Sequence, residues 1–165
     1  MRGRIIGLAR RAESRLPMEE LQVAVLTPDI GVLGDCKGRK FPDRHLTILA
    51  VEDWQAALLD LAGPAGPPDV PWTGRRANVL VQGLKLPRGP GAILGLGDCL
   101  VQVMRETTPC SRMEDAFPGL RLALSSDWRG GVICKVLTGG GISIGDHVQV
   151  LTQPSERKKV VLPGE

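Results

Sequence analysis

Aromatic side chains are nearly missing from this sequence. Its 165 residues include three Trp, two Phe and no Tyr. The core must therefore be filled by Val, Leu, Ile and Ala. Charge of one sign is also lacking: 21 Lys and Arg stand against 18 Asp and Glu, mixed along the chain, for a net charge of +3. With neither a basic stripe nor a set of stacking rings, nucleic acid is not the expected partner. The slight positive balance suits a small anionic ligand. No apolar run reaches the ~18 residues of a membrane span, so no membrane association is expected. The first ten residues hold no long apolar stretch and no small-residue cleavage site, unlike a secretory signal. The four cysteines form no CxxC pair. Reduced thiols and a cytoplasmic location are the expectation, and the spacing is a poor match to a four-Cys zinc site. No Ser-His-Asp order, HExxH or phosphate-binding loop occurs.

Glycine and proline are plentiful, at 21 and 13 residues, and they divide the chain into short segments. Residues 3–10 read as a strand. Residues 21–27 read as another, with Leu21, Val23 and Val25 on one face. Residues 46–50 are apolar and β-prone, as in a buried strand. The one persuasive helix spans about 51–61, where Trp54, Leu58 and Leu61 recur at helical spacing. Glu52 and Asp53 suit its start, and Gly63-Pro64 stops it. Residues 63–71 then read as a stiff surface loop. Strands follow at 79–81, 92–96 and 100–104, the last two around a Gly97-Asp98 hairpin turn. Residues 132–137 and 142–144 flank a Gly139-Gly140-Gly141 turn, and 147–151 follows Gly145-Asp146. Segments 91–98 and 140–146 echo each other, as reuse of one hairpin chemistry. Residues 111–124 have room for one or two short helices. The fold class is thus mainly β, a barrel or sandwich, with closure favoured because it leaves no open edges. One domain is expected over 1–153, with a polar, frayed tail over 154–165.

Cys110 is the most informative thiol. Pro109 ends the preceding strand, so Cys110 falls in a loop or first helical turn, two residues from Arg112. A nearby guanidinium favours the thiolate, the form that binds soft metals or attacks sulfur donors; the alternative is a structural thiol that packs as a small hydrophobe. Cys99 and Cys134 alternate with valines and belong in the core. Cys36 sits in a loop as a possible second thiol. Arg44, Arg75, Arg76, Arg112 and Arg129 all lie at strand entrances or beside glycine. Converging strand ends would make them an oxyanion or phosphate pocket; otherwise they are ordinary solvated arginines. His147 reads as a surface residue, and His45 stands at the mouth of a buried strand.

The ordered set of motifs resembles the MOSC domain, named for the C-terminal region of molybdenum-cofactor sulfurases. It comprises Met18-Glu-Glu20, Gly31-Val-Leu-Gly-Asp35, Arg44-His-Leu-Thr-Ile-Leu-Ala-Val-Glu-Asp-Trp54, Arg76-Ala-Asn-Val-Leu-Val-Gln-Gly-Leu84, Gly97-Asp98, Thr108-Pro-Cys-Ser-Arg-Met113, Arg129-Gly-Gly131 and Ile144-Gly-Asp146. It runs from about residue 3 to 151. The resemblance implies a MOSC-type β-barrel with one clear helix and a few short ones. It also implies molybdenum cofactor (Mo-molybdopterin) as ligand and Cys110 as the catalytic thiolate and molybdenum ligand. By motif position, Arg76, Asn78, Thr108 and Arg112 fall on the cofactor side, followed by Arg44 and Arg129, with Arg75 beside them. The arginines would face an anionic pterin phosphate. Three functions are then in contention. One is a two-electron reductase of N-hydroxylated compounds fed by a separate redox donor protein. Another is a sulfur carrier taking persulfide sulfur from a cysteine desulfurase onto Cys110. The third is a ligand-binding barrel without chemistry.

Overall fold

The computed structural model describes residues 2–154; residues 155–165, most of the expected tail, lie outside the described residues. In chain order the elements are β1 (Arg2–Arg10), β2 (Glu19–Leu21), β3 (Val23–Thr27), β4 (Gly31–Val32), α1 (Lys37–Lys40), β5 (Leu46–Ala50), α2 (Val51–Asp60), a 3-10 turn (Trp72–Arg75), β6 (Val79–Gln82), β7 (Ile93–Leu96), β8 (Cys99–Glu106), α3 (Ser111–Ala116), α4 (Leu120–Ala123), β9 (Val132–Thr138), β10 (Gly140–Ser143) and β11 (His147–Thr152).

Seven strands close into a barrel in the order β11-β7-β8-β9-β5-β6-β1, with β1 pairing back to β11. Every barrel pair is antiparallel except β5–β6. That parallel pair needs a crossover, and α2 begins it directly after β5. The barrel interior is aliphatic, as the shortage of aromatic residues requires. Ile5, Leu8, Ile48, Val81, Leu94 and Val103 are among its buried residues, with Cys99 and Cys134 beside them. A second cluster lies between the helices and the outer side of the sheet, where Trp54, Ala57, Met113, Leu120 and Leu124 meet Leu49 and Leu80. β5 contributes to both clusters and is buried throughout, which explains its unbroken apolar run. The Gly97-Asp98 hairpin forms as expected, with Leu96 opposite Cys99 and Gly97 at φ +55°.

Two local expectations need correction. Val23 and Val25 are 57% and 41% exposed, while Ala24 and Leu26 are buried. The strand over 21–27 breaks at Gln22, and its second part joins a small separate sheet, β10-β3-β4. That sheet turns Ala24 and Leu26 towards the barrel core with Val32 and Ile142. The glycines at 139–141 do not turn a hairpin. β9 pairs with β8 and β5, whereas β10 pairs with β3, so the chain changes sheets at Gly139. A Cβ on Gly139 would strike the Leu26 carbonyl oxygen; glycine there permits the close approach of two backbones.

Candidate functional site

The site lies where several barrel strands begin or end. β1 ends at Arg10, and the next residue, Arg11, is only 6% exposed. Its position is set by the Gly34-Asp35 pair. Asp35 is buried, and its two carboxylate oxygens accept the backbone N–H groups of Arg11 at 3.0 Å and Lys37 at 3.2 Å. The Cys36 N–H donates to the Arg11 carbonyl at 2.9 Å. Asp35 thus joins the exit of β1 to the start of α1 and brings two basic residues into one electrostatic neighbourhood.

Arg75, at the end of the 3-10 turn, is 5% exposed. Its Nε donates to the Gly130 carbonyl at 3.0 Å and its Nη2 to the Thr107 carbonyl at 3.2 Å. Glycine is required at 130: a Cβ would strike the Thr107 carbonyl oxygen and come within 3.1 Å of Arg75 Nη2. Arg44 precedes β5 by two residues. Its titratable neighbours are Arg105, Cys110 and Arg11, and those of Arg75 are Cys110 and Arg44. Cys110 is exposed and immediately precedes α3, where its carbonyl accepts the Met113 N–H at 2.9 Å.

Crowding of positive charge leaves its mark on these groups. Burial, then Arg44 and Arg11, pulls Lys37 down to about 8, against the opposing pull of Asp35. Burial pulls Arg75 down to about 10 against the opposing pull of Cys110, and weakens Arg44 as a base with help from Arg105. Both guanidiniums remain charged at neutral pH. Among the described residues, no ion pair contains Arg11, Arg44 or Arg75. Arg11 Nη1, Arg44 Nε and Thr107 Oγ1 are buried without any hydrogen-bond partner. A buried donor without a partner carries a desolvation penalty of about 1–3 kcal/mol, more when charged. Such a group of unfilled donors is complementary to anionic oxygens.

The residues singled out from sequence divide into three groups. Arg44, Arg75 and Cys110 come together. Arg76 and Arg112 line a neighbouring cleft of about 600 Å³ whose lining does not include Cys110. Asn78 and Arg129 make structural bonds. The Asn78 side-chain oxygen accepts the Thr47 N–H at 3.0 Å, and its amide donates to the Ala9 carbonyl at 3.2 Å, tying β5 to β1. Arg129 pairs with Asp60 and donates to the Ala123 carbonyl at 3.1 Å, linking the ends of α2 and α4. Thr108 is exposed, whereas its neighbour Thr107 supplies the orphaned hydroxyl. His45 is buried, and its Nδ1 accepts the Val136 N–H at 3.0 Å. Burial, then Lys135, lowers its basicity, as an acceptor nitrogen requires. His147 is exposed, as expected. Burial drives the Cys134 thiol up and, with Asp98 and Asp146, raises Cys99, so both are poor sources of thiolate.

Sequence reasoning missed Arg11, Lys37 and Thr107. Arg11 and Lys37 are both held by a usable signal, the Gly34-Asp35 pair, whose carboxylate accepts both backbone N–H groups. Nothing in the local pattern distinguishes Thr107 from Thr108.

A model of the MOSC domain matches residues 42–149. No curated protein matches the chain. Among solved structures, the YuaD protein from Bacillus subtilis superimposes with a TM-score of 0.72 at 18% identity, covering 90% of this chain and 94% of that one. YiiM from Escherichia coli superimposes with a TM-score of 0.64 at 18% identity, covering 93% of this chain and 72% of that one. At such identities these structures speak for the fold alone.

Proposed function

Because the chain belongs to the MOSC domain family, we propose that it binds molybdenum cofactor at the Cys110 site and acts as a two-electron reductase of N-hydroxylated compounds. The observation that carries this reading is the set of unfilled buried donors, on Arg11, Arg44 and Thr107, in a cationic site shared with an exposed thiol. The donor set fits the group. Guanidiniums match phosphate oxygens in charge and fork geometry, and a thiolate is a soft ligand suited to molybdenum. Among the described residues no three His, Cys, Asp or Glu side chains gather as a metal site; the family resemblance offers Cys110 as the metal's ligand.

When bound, the cofactor supplies a metal that exchanges two electrons. The protein's own residues do the rest. Arg75, anchored by Gly130 and Thr107, holds an anionic group without moving. Arg11, Arg44 and Lys37 neutralise its charge. Cys110 presents its sulfur from the start of α3. In the overall reaction the N–O bond is cleaved, and two electrons and two protons yield amine and water. The electrons come from a separate redox protein.

The exposure of Cys110 favours a second reading, sulfur transfer. Here the Cys110 thiolate attacks the outer sulfur of a persulfide on a cysteine desulfurase. An S–S bond forms on Cys110, the donor's S–S bond breaks, and the donor cysteine leaves as thiolate. Expression in cells that make molybdenum cofactor separates the two. Near-stoichiometric molybdenum and pterin in the wild type, lost in Cys110→Ala, is the expected result. Absence of both from the wild type overturns the cofactor reading, and a trapped persulfide on Cys110 then supports the second.

A further inference from the structure

Lys37 carries an amine in surroundings that disfavour its charge. Its backbone is fixed, because its N–H donates at 3.2 Å to the buried Asp35 carboxylate. The residue is half-buried at the start of α1. Three of the charges acting on its amine are the guanidiniums of Arg44, Arg11 and Arg75, and the one opposing charge is Asp35. Asp35 already accepts two backbone N–H groups. Among the described residues no ion pair contains Lys37 or any of the three arginines. Burial and this crowding bring the amine down to about 8, so a large share of it is free base in mildly alkaline solution.

A free amine among guanidiniums is a nucleophile that lacks an anion beside it. The electrophile best suited to it is small and neutral, so that it enters without charge, and yields an anionic adduct. Carbon dioxide has these properties. Its adduct with an amine is a carbamate, whose two oxygens have the planar geometry that guanidinium donors match. Two such donors, Arg11 Nη1 and Arg44 Nε, are buried without a partner.

We propose that Lys37 is a carbamylation site, where its free amine adds carbon dioxide and Arg11 and Arg44 hold the carbamate formed. The amine nitrogen bonds to the carbon of carbon dioxide, one C=O electron pair moves onto oxygen, and a proton passes from nitrogen to water. Nothing is oxidised or reduced. The side chain changes from cation to anion, so its repulsion with Arg44, Arg11 and Arg75 becomes attraction. The carbamate also takes up donors that an incoming anion requires, so carbon dioxide regulates anion binding at this site by competition. The step needs neither molybdenum nor pterin.

NMR of the full chain in labelled bicarbonate, with an isotope label also at lysine Nζ, tests this. Protein from cells that do not make molybdenum cofactor keeps the donors open. In mildly alkaline solution the wild type should show a carbamate carbon split by a labelled lysine nitrogen, which distinguishes it from a carbamate on an α-amine. The signal should vanish in Lys37→Arg, which keeps the positive charge. It should fall about tenfold in Arg44→Met, which loses a charged hydrogen bond to the carbamate. Excess sulfate should suppress it. Absence of a lysine carbamate from the wild type overturns the proposal, and so does an undiminished signal in Lys37→Arg. A signal indifferent to both sulfate and Arg44→Met also overturns it, because the arginines would then not hold the group. Each readout is independent of molybdenum content, so the result stands or falls apart from the cofactor reading.

Discussion

The barrel interior and the mouth around Cys110 are built from the same strands, yet they obey opposite rules. β1 gives Ile5 and Leu8 to the interior, then passes directly into Arg11. β5 gives Leu46 and Ile48, and Arg44 precedes it. β8 gives Val101 and Val103, then Arg105, and Thr107 follows its end. Inside, the buried polar side chains of Asn78 and His45 have hydrogen-bond partners. At the mouth, Arg11, Arg44 and Thr107 do not. The interior provides the stability that allows the mouth to hold charges in an unfavourable state. Unfilled donors at one end of a well-packed barrel are therefore read as function, since folding alone would eliminate them.

The largest effect separating the two regions should come from the interior. Leu94 is fully buried, and Leu94→Ala should lower unfolding stability by about 2–5 kcal/mol, from lost burial and the cavity left behind. Urea denaturation measures this. Sulfate should bind the unfilled donors of the mouth, and its affinity, measured well below the transition, should be the same in this variant. A drop under about 1 kcal/mol would mean that the barrel is not the source of stability.

Asn78 lies on the border between the regions, and its effect should be next in size. Asn78→Ala strips partners from the buried Thr47 N–H and the Ala9 carbonyl, costing about 1–3 kcal/mol. Ala9 is two residues from Arg11, so the same change should also weaken sulfate binding at the mouth. Loss of stability with intact sulfate affinity would show that the strap acts on the interior alone.

Much of the interior was legible in the sequence because it depends on local pattern. Valines alternating with Cys99 and Cys134 placed those thiols inside, and the helix starting at Val51 was visible in its apolar spacing. The small sheet was less legible. The register of β3 is decided by its pairing with β10, more than a hundred residues away, and a break at Gln22 reverses which side chains face inward. At the mouth, Cys110 and the arginines at strand entrances were visible as residue types. Which arginines meet was not, because Arg75, Arg76 and Arg129 differ only in what lies across the fold: two carbonyls, an open cleft, and Asp60. Spacing along the chain carries no information on those partners.

Removing charge from the mouth should produce the opposite sign from damage inside. In Arg44→Met the replacement is apolar and of similar length, so the unfilled Nε and its repulsion with Arg105 and Arg11 disappear. Stability should rise by about 0.5–2 kcal/mol, while sulfate binding and cofactor content fall. A variant that loses stability instead would show that Arg44 already has a compensating partner, and the contrast between the two regions would fail at that residue.

The smallest effect is one of pH, and it is specific to Lys37. Its folded value of about 8 lies below the ordinary value of 10.5. Between these two values the unfolded chain holds the proton more tightly than the folded one, so this group makes stability rise as pH rises through that window. Anion binding reverses the pressure, because a bound anion favours the charged amine. Sulfate keeps a constant charge here, so its affinity should be level below about pH 7 and fall several-fold by about pH 9 as Lys37 gives up its proton. Arg44, Arg11, Arg75 and Asp35 surround the amine. Lys37→Met should bind more weakly at pH 7 and show a flat profile. The same slope in that variant would transfer the titration to another group and remove Lys37 from the mouth's working set.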